Sequence, residues 1–221
     1  MSDSTPTPPL ATLRVDYTRN QLLESEIPRD PFAHFHGWFD EARRSGMREP
    51  NAMVLSTVNS AGGVSSRAVL LKGLDERGFQ FFTNRESRKG EQLREEPRAG
   101  ITFLWAELER QVNIEGTVEL VSEEESDAYF AMRPHGAQIG AWVSLQSRVI
   151  PGREWLEERL REYEERYPEP GVVPRPPQWG GYRLVPVRVE FWQGRPSRLH
   201  DRLVFTRDGE GEAWRLERLS P

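Results

Sequence analysis

Cysteine is absent from this chain of 221 residues. That excludes disulfides, thiolate catalysis, zinc–thiolate centres and iron–sulfur clusters, and it makes a reducing cytoplasm the expected compartment. No apolar run approaches the ~18 residues needed for a membrane-spanning helix. Met1–Leu10 is polar and proline-dotted, with neither the basic start nor the apolar stretch of a secretory signal. The Gly-x-Gly-x-x-Gly, P-loop, His-Glu-x-x-His and Gly-x-Ser-x-Gly patterns are all missing, so dinucleotide, P-loop nucleotide, zincin and serine-hydrolase chemistry lack support. Positive charge is in deficit, 30 basic against 35 acidic residues for a net −5, which disfavours non-specific nucleic-acid binding. Lysine is nearly absent: only Lys72 and Lys89 stand among the 30 basic residues. A lysine is a compact point charge that an arginine fork does not replace, so both positions call for scrutiny.

What is present reads as one domain over residues 12–221 behind a disordered leader at 1–11. Asp30-Pro31 caps a helix in which Phe32, Phe35, Phe39 and Ala42 recur at helical spacing to about Ser45. Strands follow at Ala52–Val58, Val64–Lys72 and Phe79–Thr83, separated by turns at 59–63 and 75–78. A helix is expected from about Glu86 to Glu95, then strands at Ala99–Trp105 and Gln111–Val121. A short helix opens at Ser122 and ends near Met132, and Arg153–Tyr167 is amphipathic. Pro168–Gly181 reads as an irregular loop, with final strands at Tyr182–Trp192, Arg202–Thr206 and Ala213–Leu219. Short strands at close spacing with a few helices between them predict a small antiparallel α+β barrel.

The most informative local feature is Thr83-Asn84-Arg85-Glu86-Ser87-Arg88-Lys89. Arg88 and Lys89 fall in the first turn of a helix, where cations oppose the dipole unless an anion such as phosphate sits there; a pair of solvated cations is the alternative. Arg67 and Lys72, five apart, fall on opposite faces of a regular strand and require two different anionic groups if both bind ligand. His34 and His36 lie two apart on a helix and make no metal pair, while His135 sits in a Pro/Gly turn. In an extended Ser197–Arg202, alternation puts Arg198, His200 and Arg202 on one face. That face is either an anion- or ring-binding surface or a rim salt-bridged to Asp201 and glutamates.

Several collinear blocks carry a resemblance: Arg67-Ala-Val-Leu-Leu-Lys72, Phe82-Thr-Asn-Arg-Glu-Ser-Arg-Lys89, Glu109-Arg-Gln111, Arg133 through Trp142, Glu190-Phe-Trp-Gln-Gly194, Arg198-Leu-His-Asp-Arg202 and the terminal Glu217–Pro221. In order and spacing, from about Leu13 onward, the chain resembles the pyridoxamine (pyridoxine) 5′-phosphate oxidases. The resemblance implies an FMN-binding split β-barrel, antiparallel and Greek-key-like with flanking helices, assembled as a homodimer with FMN at the interface. It implies FMN contacts from Arg67, Lys72, Phe82, Thr83, Arg88, Lys89, Gln111, Gln146, Ser147, Trp192 and Arg202. Lys72, Tyr129 and Arg133 resemble the family's substrate-phosphate clamp. Arg198 and His200 resemble the catalytic pair that orients the pyridine ring, and Arg14 and Tyr17 match a segment that closes over the site.

The implied reaction oxidises pyridoxamine 5′-phosphate or pyridoxine 5′-phosphate to pyridoxal 5′-phosphate. Hydride passes from C4′ to flavin N5, and O2 is the electron acceptor, giving H2O2. No metal, nucleic acid or membrane partner is implied. One departure is visible: Ala137 stands where the family commonly has a serine on the substrate phosphate. Loss of a hydrogen bond to a charged group is worth roughly 1.5–3 kcal/mol, so a raised Michaelis constant is expected. A phenazine-biosynthesis-like flavin oxidase and a non-catalytic FMN or pyridoxal-phosphate carrier are the alternative readings on the same barrel.

Overall fold

The sheet of this protein is organised around one long strand. The computed structural model describes residues 12, 13 and 16–221, so the expected leader and Arg14 lie outside the described residues. In chain order the elements are α1 (Pro31–Arg44), β1 (Ala52–Val58), β2 (Val64–Leu70), β3 (Gly73–Asp75), β4 (Gly78–Asn84), α2 (Arg88–Glu95), β5 (Arg98–Trp105) and β6 (Arg110–Leu120). Then come α3 (Glu123–Ala131), α4 (His135–Val143), α5 (Arg153–Arg166), β7 (Trp179–Gln193), β8 (Asp201–Thr206) and β9 (Arg215–Leu219). The antiparallel sheet runs β2-β1-β5-β6-β7-β4-β3, and β8 and β9 extend from β7.

β7 pairs with β6 along one edge, while its other edge is divided between β4, opposite Trp179–Leu184, and β8, opposite Arg188–Gln193. The division falls at Pro186, where the β6 register shifts between Glu115 and Gly116. Proline offers no N–H to the ladder, and a bulge there bends the strand. Gly116 permits the bend, because a Cβ at that position would lie 2.1 Å from the Val185 carbonyl oxygen. The resulting curl is joined across its mouth where the Lys72 N–H donates to the Gln80 carbonyl at 2.8 Å.

α1 fills the curl. Asp30 accepts from the N–H groups of Phe32 and Ala33, with Pro31 at the first helical position, so the expected cap is realised. Phe35 is fully buried, its ring 5.0 Å from Phe79 and 5.1 Å from Phe103, and Trp38 lies against Phe191 at 5.3 Å. A second, smaller core of Phe130, Ile139, Val143, Val173 and Trp179 fastens α3 and α4 to the start of β7.

Four boundaries differ from expectation by two residues or more, and the short strand β3 stands where no strand was expected. β2 ends at Leu70, and α2 begins at Arg88 behind a Ser87 cap. Trp179–Gly181 belongs to β7 rather than to the preceding loop, and β9 begins at Arg215. One helix was not foreseen: His135 opens α4 rather than sitting in a turn. Gly136 and Gly140 weaken the local helical signal there, and burial of Ile139 and Val143 supplies the stability instead.

Candidate active site

The largest concentration of sequence-nominated residues lines a cleft of about 580 Å³ bounded by β2, β4, α2, α3 and the loop after α4. Arg67, Lys72, Phe82, Thr83, Arg88, Lys89, Tyr129, Arg133, Gln146 and Ser147 all face it. Arg67 and Lys72 share this cleft, contrary to the opposite-face expectation. The strand stops at Leu70, and the Leu71 and Lys72 N–H groups donate to Asn51 and Gln80, which turns the chain across the barrel mouth.

Among the described residues five cations line the cleft, namely Arg67, Lys72, Arg88, Lys89 and Arg133, and no carboxylate does. Arg67 donates to Thr57 Oγ1 at 2.7 Å, Ser65 Oγ at 2.6 Å and the Leu55 carbonyl at 3.1 Å, all neutral acceptors. Burial, and then the neighbouring Arg88, hold its pKa below the ordinary value. Lys89, 8% exposed, donates to Thr83 Oγ1 and Gln146 Oε1 at 3.0 Å and to Ser87 Oγ at 3.1 Å. Burial first, and Arg67 second, push its pKa down to about 8. Arg133 lies over the Trp179 ring at 4.7 Å, and its buried Nη1 has no hydrogen-bond partner among the described residues. Burial lowers its pKa too. Phe82 stacks on Tyr129 at 4.2 Å and on Trp179 at 5.5 Å, forming a rigid aromatic wall. Buried or half-buried cations without counter-charge are costly, and an anionic ligand removes that cost. Arg88 and Lys89 at the first two positions of α2 give the helix dipole the same demand.

The remaining nominated residues form a second group. Leu104, Gln111, Trp192 and Arg202 are successive cross-strand partners through β5, β6, β7 and β8, so they occupy one row on the outer face of the sheet. Leu104 is 66% exposed in that row. Arg202 donates to Glu190 at 2.8 Å and to the Ser220 carbonyl at 2.9 Å, so for this residue the salt-bridged-rim alternative holds. Arg198, His200 and Arg202 do not form one extended face. Pro196–Arg198 is a 3₁₀ turn, with Ser197 and Arg198 at φ 57° and 62°. These left-handed conformations leave Arg198 exposed, with no ion-pair partner among the described residues.

His200 lies 4.6 Å from Trp192 and 5.7 Å from Tyr17, beside a depression lined by Tyr17, Trp192, Arg195 and Arg198. The Arg195 N–H donates to His200 Nδ1 at 3.1 Å. Burial and the charge of Arg198 lower the His200 pKa, so the ring is neutral near pH 7 and carries its proton on Nε2. Gly194 admits Tyr17 to this corner, since a Cβ there would stand 2.7 Å from the tyrosine ring.

The cationic cleft and the depression at Tyr17, Trp192, Arg198 and His200 are separate features of one chain, and Gln111 and Arg202 line neither. Sequence reasoning missed Trp179, Ser65 and Gln92, of which Trp179 lines the first cleft and the other two hold Arg67. A tryptophan inside a Pro/Gly-rich stretch was the available signal for the first; the others are ordinary polar residues with none. Ala137 is half-buried at the third position of α4 and lines neither depression. Among the described residues no group of three or more His, Cys, Asp or Glu side chains is placed to hold a metal, and no helix is long and apolar enough to cross a membrane.

Comparison with known proteins gives two family matches: "Pyridoxamine 5′-phosphate oxidase" over residues 39–167, and "Pyridoxine 5′-phosphate oxidase C-terminal dimerisation region" over residues 179–221. The chain is 56% identical over 212 residues to a pyridoxine/pyridoxamine 5′-phosphate oxidase of Cupriavidus necator, covering 96% of this chain and 99% of that one. It is 57% identical over 213 residues to the enzyme of that name from Burkholderia multivorans, with the same coverage. Among solved structures it resembles PhzG from Burkholderia lata in complex with tetrahydrophenazine-1-carboxylic acid, with a TM-score of 0.83, 34% identity, and coverage of 89% of this chain and 95% of that one. An FMN-binding, pyridoxamine 5′-phosphate oxidase-related protein from Nostoc punctiforme shares the fold at a TM-score of 0.69 and 19% identity, over 88% of this chain and 100% of that one.

Proposed function

The chain belongs to the pyridoxamine 5′-phosphate oxidase family, and from that premise we propose that it is an FMN-dependent oxidase of pyridoxamine 5′-phosphate and pyridoxine 5′-phosphate. The product is pyridoxal 5′-phosphate, water displacing the amine nitrogen as ammonia in the case of pyridoxamine 5′-phosphate, and O2 is the acceptor, reduced to H2O2. The observation that carries this reading is the cleft that, among the described residues, gathers five cations and no carboxylate. One phosphate accounts for Arg67, Arg88 and Lys89; Lys72, Tyr129 and Arg133 then answer a second. FMN fits the first set, because among the described residues the side-chain partners of Lys89 and Arg67 are all neutral oxygens. When bound, FMN supplies the two-electron acceptor that no side chain of this protein provides.

The protein's own contribution is position and charge. Thr83 and Gln146 aim the Lys89 ammonium into the cleft, and Ser65 and Thr57 do the same for the Arg67 fork. Arg133, packed over Trp179 at 4.7 Å, lines the cleft and directs its charge at the substrate phosphate. Two phosphate anchors restrict the reacting groups to few relative orientations, which converts binding into rate. His200 presents Nε2–H as a neutral donor beside Arg198, a combination suited to a pyridine ring and its phenolic oxygen. Because the His200 corner and the cationic cleft are separate depressions, the working site is composite. One subunit of a homodimer supplies the anion cradle, and the partner supplies the ring-orienting corner, with FMN between them.

The test is the dependence on phosphate. Pyridoxamine 5′-phosphate should exceed unphosphorylated pyridoxamine in kcat/KM by at least about a thousandfold, since several charged hydrogen bonds at roughly 1.5–3 kcal/mol each are lost together. Comparable values for the two amines would remove the reading. A phenazine-type substrate is the second reading, favoured by the similarity to PhzG. Turnover of tetrahydrophenazine-1-carboxylic acid without turnover of the phosphorylated amine would establish it instead.

A further inference from the structure

The segment between α5 and β7 has almost no regular structure, yet it holds one of the most heavily bonded side chains of the protein. Arg175, whose side chain is 9% exposed, donates through Nε to Asp127 Oδ1 at 2.6 Å, through Nη1 to the Trp179 carbonyl at 2.6 Å, and through Nη2 to Glu123. Asp127 and Glu123 are both on α3, one turn apart, and both carboxylates are more than half exposed. Arg175 lines neither depression. Two of its three bonds nevertheless end on α3, which carries Tyr129, and the third ends on Trp179, which lines the cleft. Tyr129 follows Asp127 by two residues on α3, and Arg133 leaves the C-terminal end of the same helix. Trp179 is the surface on which Arg133 lies, at 4.7 Å, and it also faces Tyr129 at 6.0 Å.

We propose that Arg175 is a positioning residue for the substrate-phosphate half of the site, a role that rests on the function proposed above. Its fork spans α3 and the first residue of β7, and so fixes the distance between the helix that supplies Tyr129 and Arg133 and the ring that orients Arg133. A planar group with donors on both edges suits this task. A lysine at the same place reaches one or two of the three acceptors but not all in fixed geometry. Arg85 also bonds Glu123, at 2.8 Å, and leaves α3 attached when Arg175 is removed, so the expected defect is misalignment rather than unfolding. The FMN-phosphate cations on β2 and α2 receive no bond from Arg175.

The experiment compares the FMN-loaded wild type with Arg175→Met and Arg175→Lys. For each, KM and kcat for pyridoxamine 5′-phosphate, the dissociation constants of FMN and pyridoxal 5′-phosphate, and the melting temperature are measured. Arg175→Met should raise KM and weaken pyridoxal 5′-phosphate binding by roughly tenfold, because a small displacement of an anchoring group is costly. Saturated kcat and FMN affinity should stay within about twofold, and Arg175→Lys should fall between the two. A lowered melting temperature with unchanged KM and unchanged pyridoxal 5′-phosphate binding would overturn the proposal and leave a purely structural arginine. If instead the wild type neither oxidises nor binds the phosphorylated vitamers, the functional reading fails, and that result is distinct from a failure confined to Arg175.

Discussion

Replacing Lys89 with methionine separates a cation kept for a ligand from one kept for the fold. The Lys89 pKa is pushed from 10.5 to about 8, a displacement equivalent to about 3 kcal/mol of unfavourable charge burial at neutral pH. The folded value lies below the unfolded one, so the unfolded chain binds the proton more tightly. The penalty is therefore complete below pH 8 and disappears above pH 10.5. Methionine abolishes it but withdraws a donor from Thr83, Ser87 and Gln146, at about 1 kcal/mol or less each. The FMN-free variant should be as stable as the wild type or up to about 2 kcal/mol more so, a rise of as much as ~6 °C in melting temperature for a chain of this size. FMN affinity should fall roughly 10- to 150-fold, the equivalent of a charge-assisted hydrogen bond. Differential scanning fluorimetry of the FMN-free proteins and titration of flavin fluorescence read both quantities. A melting temperature lowered by more than about 5 °C, with FMN affinity unchanged, would refute the reasoning.

Further consequences follow from the same geometry. An FMN phosphate beside Lys89 raises its pKa, so FMN binding takes up protons above pH 8 and weakens as pH rises further; a calorimetric enthalpy independent of buffer ionisation at pH 8.5 would contradict this. His34 is 7% exposed among Trp38 and Phe191, and burial lowers its pKa to about 4. Stability present above pH 6.5 should decline as pH falls toward 4, by about 3 kcal/mol, and His34→Leu should flatten that part of the urea-denaturation profile. Gly194→Ala places a methyl against the Tyr17 ring, and should raise KM several-fold while leaving FMN affinity near its original value; loss of FMN instead would misplace Tyr17. Co-expressed Arg133→Met and Arg198→Met chains, each inactive alone, should regain about a quarter of wild-type activity, because half of randomly mixed two-fold dimers contain one intact composite site. Absence of recovery would place both arginines in a single subunit's site.

The fold was legible where local chemistry and tertiary packing agree. Asp30-Pro31 announces α1, Ser122 with Glu125 announces α3 through a realised capping box, and the β1–β2 turn is written in Asn59–Gly63. α4 was illegible because glycines and a proline cap speak against a helix that the Phe130–Trp179 core nevertheless stabilises. The cationic cleft was foreshadowed by the two lysines, yet the sharing of one cleft by Arg67 and Lys72 depends on where β2 stops. That point is set by hydrogen bonds to Asn51 and Gln80, which adjoin it in the sheet but lie on other segments of the chain. The turn at Ser197 and Arg198 escaped alternation for a related reason: non-glycine residues at positive φ leave no mark in a polar sequence. Arg175 escaped because its importance lies entirely in what it spans.

The central claim is that the cleft and the His200 corner together pass two electrons from a phosphorylated pyridine to FMN. Anaerobic addition of pyridoxamine 5′-phosphate to the FMN-loaded protein tests it most directly. Bleaching of the visible flavin band, its return on admission of air, and one pyridoxal 5′-phosphate formed per flavin bleached are the results predicted. A flavin that stays oxidised although the phosphorylated amine binds would contradict the claim and leave a carrier in its place.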